Sequence, residues 1–270
     1  DYLIASQTTN SLTGITDSAA AGTALSSGYK TVNGYVGVDE ALVPHATLAE
    51  ASQLSGKALG LVTTCPWNDA TPAAFFTHTT SRENYREISR QILNKNISVV
   101  LGSGFGLAEY GDITQAEKRG YTIVQSREDL ARVKQGDRLW GNIRDTQMPY
   151  DIENWDNLPN LAELTRAALT ALSDASEEGF FLLVEGSKID DGGHYNGAAV
   201  MAGDYLAFDA AFAAAVEYAK SRTDTMVIAA ADHDTGGMLL PDSLSTAAEK
   251  LRFNRESGSG ITWETTAHTG

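Results

Sequence analysis

Two pairs of acidic and imidazole side chains follow predicted strands in the second half of the sequence. Asp190 shares one segment with His194, and Asp232 is followed directly by His233. A carboxylate and an imidazole supplied together are good ligands for Zn²⁺, which accepts oxygen and nitrogen donors. Two such pairs at two strand ends indicate more than one metal ion. Acidic residues and glycines also fill ordinary solvated loops, so each pair alone has a purely structural explanation.

A serine stands at the start of an alanine-rich segment. Ser18 follows Asp17 and precedes Ala19–Ala21. A helix that begins here would bring the serine hydroxyl near unpaired backbone N–H groups and the positive end of the helix dipole. That setting suits an anion, whether an ionised serine or a phosphoryl group. Serine and aspartate at a helix start also serve as simple N-caps.

A third group combines oxygen donors with a cation. Asp69 and Thr71 follow one predicted strand and carry oxygens of the kind that Mg²⁺ prefers. Glu185 is a further carboxylate, just past the predicted strand Phe180–Val184. Arg82 could bind two phosphate oxygens through its forked guanidinium. A surface position at a helix start is the simpler interpretation of Arg82 when it is considered alone.

Short apolar runs alternate with helical patterns, which predicts an α/β protein. The predicted strands lack polar alternation, as expected where both faces are covered: Leu59–Thr64, Ser98–Leu101, Tyr121–Val124, Phe180–Val184 and Met226–Ala230. The predicted helices are Arg82–Asn94, Leu161–Leu172, Met201–Lys220 and a segment from near Asp17 to Gly28. Ligands bind outside the carboxyl ends of the strands in an open α/β sheet, so the candidate residues should meet there.

Length and composition exclude several classes of protein. The 270 residues carry 20 Lys and Arg against 35 Asp and Glu, a net charge of −15 that argues against a nucleic-acid or anionic-membrane binder. The one cysteine, Cys65, excludes an internal disulfide framework and a Cys-rich zinc site. No apolar run approaches the roughly 18 residues of a membrane helix. We expect a single domain over 1–270, with loop-rich excursions near 102–156 and 241–266.

Four segments, taken in order, resemble the alkaline phosphatases, a family of phosphomonoesterases that use a serine nucleophile, two zinc ions and one magnesium ion. The segments are Thr16–Ala21 with Thr31–Gly34, Asp69–Ala74 with Thr80–Arg82, Phe180–Asp190 with His194, and Ala231–His233 with His268–Gly270. Together they are highly specific, whereas each alone is not. The resemblance implies a mostly parallel central sheet with helices on both faces.

The resemblance also implies a role for each candidate residue. Ser18 corresponds to the nucleophile that forms a phosphoserine intermediate, and Arg82 to the clamp on the substrate phosphate. The metal ligands fall into three sets. The first zinc corresponds to Asp190, His194 and His268, the second zinc to Asp232 and His233, and the magnesium ion to Thr71 and Glu185, with Asp69 beside that ion.

The sequence departs from the family pattern in three respects. Family members carry an upstream Gly-Asp-Gly-Met-Gly-like strand end, whose aspartate is shared by the second zinc and the magnesium, and they continue beyond the last zinc ligand. We therefore expect a catalytic domain truncated at both ends, with both ions one ligand short. Relatives carry a basic or aromatic side chain where this chain has Asp191, so the phosphate pocket should be less positive here.

Two alternatives to a phosphomonoesterase remain open. One is a phosphodiesterase or sulfatase of the same superfamily, although the Asp-Ser-Ala setting of Ser18 and the presence of Arg82 favour monoesters. The other is a non-catalytic remnant that binds metal or phosphate. The resemblance further implies small-molecule phosphate monoesters as substrates, a homodimer, and a periplasmic or extracellular location. We expect no nucleic-acid or membrane partner, and we expect His45 and His78 to be structural or surface residues.

Overall fold

A parallel sheet lies at the centre of the computed structural model, which describes residues 8–12, 14–104, 113–144, 146–240 and 261–269. Its strands are β1 (Ala58–Pro66), β2 (Val99–Ser103), β3 (Thr122–Val124), β4 (Leu139–Gly141) and β5 (Phe180–Glu185). They lie in the order β3-β4-β2-β1-β5, and every neighbouring pair is parallel. The predicted α/β class is confirmed.

Helices connect these strands. They are α1 (Ser18–Ser27), α2 (Leu48–Leu54), α3 (Ala70–Phe76), α4 (Tyr85–Asn94), α5 (Ile113–Lys118), α6 (Arg127–Leu130), α7 (Leu161–Leu172), α8 (Lys188–His194) and α9 (Ala198–Lys220), with a 3₁₀ turn at Asp151–Glu153. Four two-residue strands form two small antiparallel ladders. β6 (Asp234–Thr235) pairs with β9 (His268–Thr269), and β7 (Met238–Leu239) pairs with β8 (Thr262–Trp263).

The two faces of the sheet bury separate apolar clusters. Leu59 and Leu61 of β1 pack in one cluster with residues of α1 to α4, while Val62 packs in the other with residues of α7. This alternation follows from the two-residue period of a strand. Layers of helix therefore cover both faces, which explains why β1 and β2 are buried along their whole length and why their sequences lack polar alternation.

The predicted strand Met226–Ala230 is wrong. This segment pairs with none of the described strands, and Met226 and Ile228 are 81% and 73% exposed. An apolar run forms a strand only where a neighbour pairs its N–H and C=O groups, and the run alone does not specify that neighbour. The segment still delivers Asp232 and His233 to the same end of the sheet as Glu185, because electrostatic and hydrogen-bond contacts join them to residues there.

The described part of region 102–156 contains short elements, of which β3 and β4 join the central sheet. Residues 105–112 and 145 of this region, and residues 241–260 of the second excursion, lie outside the described residues. Among the described helices, only α9 has the length and composition to cross a membrane. Its alanines raise the mean hydropathy without a run of large apolar residues. The helix packs on α7 and α8.

Candidate active site

Helix α1 presents Ser18 at its first turn. Asp17 caps the helix, since its Oδ1 accepts a hydrogen bond from the N–H of Ala20 at 2.9 Å. Gly28 ends the helix in the left-handed conformation that a residue without Cβ adopts freely, with φ of 80°. The buried alanines of the first turns pack against α3. The predicted helix from near Asp17 to Gly28 is therefore confirmed, and its packing holds Ser18 in place.

Ser18 meets the histidine predicted for the second zinc. Its Oγ lies 2.9 Å from Nε2 of His233, whose side chain is only 1% exposed. Oδ2 of Asp232 lies 3.2 Å from the same imidazole nitrogen. The structure therefore places Ser18, Asp232 and His233 together, as the resemblance implies.

A second cluster joins helix α8 to strand β9. Asp190 and His194 are four residues apart on α8, so they lie on one helix face, and His268 comes from β9. Nε2 of His194 lies 3.2 Å from Nε2 of His268. The Asp190 carboxylate is 3.4 Å from the first nitrogen and 3.7 Å from the second. These three ligand atoms lie within 4.8 Å of one another, a spacing that suits one metal ion.

The outer nitrogens of the two imidazoles in this cluster face backbone carbonyls. Nδ1 of His194 faces the carbonyl of Thr266 at 2.7 Å, and Nδ1 of His268 faces the carbonyl of Thr16 at 3.0 Å. A carbonyl only accepts, so each Nδ1 carries a hydrogen, and each Nε2 is left to face the other ring and the Asp190 carboxylate. With both rings neutral, a cation would offset the repulsion among these three acceptors. Burial and the neighbouring His233 lower the pKa of His268, which favours the neutral ligand form.

A third cluster lies at the end of β5. Glu185 is partly buried, accepts a hydrogen bond from the Thr63 hydroxyl at 2.6 Å, and lies 3.3 Å from Sγ of Cys65. Burial raises the pKa of Glu185 to about 7; the charges of Asp69 and Asp232 act in the same direction, and the Thr63 hydrogen bond acts against them. These carboxylates gather where a cation would compensate their charge.

Thr71 is the member of this predicted set that the structure does not bring into contact. It lies in α3 beside Gly22 of α1, where an added Gly22 Cβ would be 3.6 Å from its Cα. In the part of the chain that is described, no hydrogen bond joins Thr71 to Glu185 or Asp69. Its role as a magnesium ligand therefore stays a prediction.

Arg82 contacts both the aspartate next to Ser18 and an aspartate of the third cluster. One guanidinium nitrogen lies 3.3 Å from Asp17 Oδ2 and the other 3.2 Å from Asp69 Oδ1. The side chain is 27% exposed, so its fork is held next to the Ser18 turn and still reaches solvent. Arg82 is therefore a partly covered residue whose guanidinium is held by two carboxylates, and its role on a substrate phosphate stays a prediction.

Sequence reasoning missed two residues that shape the site. The Thr235 hydroxyl donates to Asp190 Oδ1 at 2.5 Å. The two residues are 45 positions apart in the sequence, so no local pattern predicts this contact. Nζ of Lys188 lies 2.5 Å from Asp191 Oδ2, at the three-residue spacing that a helix brings together. Lys188 thereby offsets the acid that we expected to make the phosphate pocket less positive.

The remaining candidate residues have ordinary partners. Nε2 of His45 lies 2.8 Å from Asp39, and Nε2 of His78 lies 3.0 Å from Glu50. Both histidines thus have carboxylate partners, in keeping with a structural role. Cys65 is a free, buried thiol, and burial raises its pKa well above the ordinary value.

Comparison with known proteins identifies the family. A family model described as alkaline phosphatase matches residues 1–257. The chain belongs to the alkaline phosphatase family. It is 37% identical to alkaline phosphatase 3 of Bacillus subtilis, over 87% of this chain and 53% of that protein. It is 32% identical to the alkaline phosphatase of Escherichia coli, over 90% of this chain and 63% of that protein. The chain spans about half the length of the curated relatives that it matches first.

Solved structures of alkaline phosphatases share the fold. The cold-active enzyme of a Shewanella species superposes with a TM-score of 0.85 at 28% identity, over 98% of this chain and 80% of that one. The enzyme of the Antarctic bacterium TAB5 gives a TM-score of 0.79 at 29% identity, over 97% and 77%. A variant of that second enzyme holds Mg in its M3 site. The fold that the resemblance implied is confirmed.

Proposed function

We propose that this chain carries the catalytic residues of a phosphomonoesterase, which hydrolyses phosphate monoesters to an alcohol and inorganic phosphate through a phosphoserine intermediate. The observation that carries the proposal is the position of Ser18, with its Oγ 2.9 Å from His233 Nε2 at a helix N-terminus. Arg82 stands beside it, bound to the aspartate that caps the same helix. A nucleophile, an imidazole and a phosphate-binding cation therefore share one site.

The donor sets fit the metals that the family implies. Asp190, His194 and His268 offer one oxygen and two nitrogens whose lone pairs converge, which suits zinc. Asp232 and His233 offer a smaller set for a second zinc, and the carboxylates of the third cluster suit magnesium. When bound, such ions stabilise the charge on the entering and leaving oxygens of an in-line displacement.

The chain's own residues account for the rest of the reaction. Ser18 Oγ attacks phosphorus and forms the Oγ–P bond while its proton passes to water; the bond between phosphorus and the alcohol oxygen breaks, and that oxygen takes up a proton from water. A water molecule then attacks phosphorus, the Oγ–P bond breaks, Oγ takes back a proton, and inorganic phosphate leaves. Among the described residues, Arg82 uses two of its five N–H donors on carboxylates, which leaves donors to bind two phosphate oxygens. His233 fixes the direction of the serine hydroxyl.

The substrate class follows from the same residues. A guanidinium fork beside the nucleophile recognises a terminal phosphoryl group with free oxygens, and a diester has fewer of these to offer. A relative from Streptomyces griseus, 31% identical over 95% of this chain and 71% of that protein, is named streptomycin-6-phosphate phosphatase. We propose small-molecule phosphate monoesters as substrates; the homodimer and the periplasmic or extracellular location are proposals that rest on the resemblance.

The test compares Ser18→Ala with Ser27→Ala in the complete protein. Ser27 lies in the last turn of the same helix, where its hydroxyl donates to the Thr23 carbonyl, and it serves as the matched control. We expect Ser18→Ala to abolish hydrolysis of a chromogenic phosphomonoester with zinc and magnesium contents unchanged, and Ser27→Ala to retain activity.

Parallel assays separate the alternatives. Activity that survives Ser18→Ala would contradict the nucleophile assignment. Faster hydrolysis of a phosphodiester or sulfate ester than of the monoester would favour the other superfamily activities. One zinc or none, with no turnover of any ester, would indicate the non-catalytic remnant.

A further inference from the structure

A tight turn at Val32–Tyr35 lies beside the start of helix α1. The N–H of Tyr35 donates to the carbonyl of Val32 at 3.1 Å, and Gly34 has a φ of 86°. A turn with a positive φ at its third residue selects glycine there, because other residues adopt that conformation only with strain. The turn therefore sets the direction of the Asn33 side chain and of the Gly34 peptide.

The Asn33 side chain holds the backbone that leads into α1. Its Oδ1 accepts hydrogen bonds from the Asp17 N–H at 3.0 Å and from Asn10 Nδ2 at 2.8 Å. Its Nδ2 donates to the Ile15 carbonyl at 3.1 Å. One amide can make all of these bonds, because it carries both an acceptor oxygen and an NH₂ donor. Since Ser18 follows Asp17 directly, Asn33 orders the segment that delivers the serine.

The backbone of Gly34 connects the same aspartate to Arg82. The Gly34 N–H donates to Asp17 Oδ2 at 3.0 Å, and the Gly34 carbonyl accepts from the Arg82 N–H at 2.8 Å. The Arg82 guanidinium lies 3.3 Å from the same Asp17 oxygen. A closed set of hydrogen bonds therefore joins the start of α1, the turn, and both the backbone and the side chain of Arg82.

The relative position of Ser18 and Arg82 depends on these tertiary contacts, because 65 positions separate Asp17 from Arg82. A misplacement of about 1 Å between reacting groups can cost about 100-fold in rate. We propose that Asn33 is a positioning residue that holds Ser18 in register with Arg82 through the contacts of its turn. The inference rests on the proposed function, in which Ser18 attacks a phosphoryl group bound by Arg82.

Asn33→Ala removes the side-chain hydrogen bonds and keeps the Gly34 peptide. Asn33 is exposed, so the variant should fold, which urea unfolding checks. Asn154→Ala is the matched control. The Asn154 side chain also bonds to loop backbone, since it donates to the Leu158 carbonyl at 2.7 Å and accepts from the Leu158 N–H at 2.9 Å. The complete proteins, loaded with zinc and magnesium, are assayed with a chromogenic phosphomonoester, and rates are expressed per folded molecule.

We expect Asn33→Ala to lower kcat and kcat/KM together by about 10–100-fold, with KM nearly unchanged, because register matters most in the transition state. In an Arg82→Ala background the same change should cost less than about threefold, because the group to be kept in register is gone. Hydrogen exchange at the Asp17 amide, followed by NMR, should be faster in Asn33→Ala than in the parent protein. Asn154→Ala should match the parent protein in all three measurements.

Two results would overturn the role of Asn33 in an active parent protein. One is an unchanged kcat/KM in Asn33→Ala, which would leave the side chain with a role in the turn alone. The other is an equal loss in the parent and Arg82→Ala backgrounds, which would show that Asn33 does not act through the register with Arg82. A parent protein without phosphomonoesterase activity would contradict the proposed function itself, and this inference with it.

Discussion

Ionisation of Glu185 should make the metal-free protein less stable as the pH rises. Burial raises its pKa from 4.5 to about 7, so the folded chain holds a proton on Glu185 over a pH range in which the unfolded chain has released it. The contribution of Glu185 to the free energy of unfolding is therefore fully present below pH 4.5. It decreases as the pH rises and is lost above about pH 7. At about 1.4 kcal/mol per pH unit, this shift of the pKa amounts to about 3 kcal/mol.

Glu185→Gln removes the charge and keeps an oxygen that accepts from Thr63. Urea unfolding in the presence of a chelator gives the free energy of unfolding at each pH. We expect the variant to gain about 3 kcal/mol relative to the parent protein between roughly pH 4 and pH 8. Added Mg²⁺ should reverse the advantage, because a bound cation compensates the parent carboxylate. The matched control is Glu177→Gln, an exposed glutamate just before the same strand. Parallel pH profiles for parent and Glu185→Gln would refute the reasoning.

Three more predictions concern packing and charge around the site. Lys188→Met and Asp191→Asn should each lower the free energy of unfolding, because each breaks the 2.5 Å ion pair between the two side chains. In a double-mutant cycle, the double variant should lose about 1–3 kcal/mol less than the sum of the two single losses. Strictly additive losses would show that the ion pair contributes nothing. Gly192→Ala should push α8 away from α9, because the added Cβ would lie 2.8 Å from the Met201 backbone. We expect the free energy of unfolding to fall by about 1–3 kcal/mol, and an unchanged Tm would contradict this contact. Ile92→Ala, in the fully buried core, should cost about 2–5 kcal/mol with zinc affinity unaffected, as urea unfolding and a metal titration would show.

Local sequence patterns predicted the elements whose stability is largely local. The helix Leu161–Leu172 has the predicted bounds, because Asn160 and Glu163 form a capping box and its apolar face repeats at helical spacing. The run that became β1 is apolar throughout because helices cover both of its faces. Met226–Ala230 is also apolar, but it pairs with none of the described strands, so the apolar run misled the prediction there.

The candidate site was predictable where chemistry follows a strand or a helix turn. Asp190 and His194 share a helix face by spacing alone, and Glu185 ends a recognisable strand. The position of His268 depends on a two-residue ladder, β6 with β9, which carries no sequence signature of its own. Thr235 bonds to a residue 45 positions away, so its contact exists only after the fold has formed.

The hydrogen bonds that complete the site close very long loops of chain. His268 reaches back to the Thr16 carbonyl across 252 positions, and His233 reaches Ser18 across 215. Contacts of such high sequence separation form late in folding, because the entropy of loop closure is lost before the contact is gained. During synthesis Ser18 leaves the ribosome long before His233 and His268, and the cluster of Asp190, His194 and His268 can assemble only once His268 has emerged. If this cluster binds zinc as proposed, tight zinc uptake would mark molecules in which the segments around Thr16 and His268 have met.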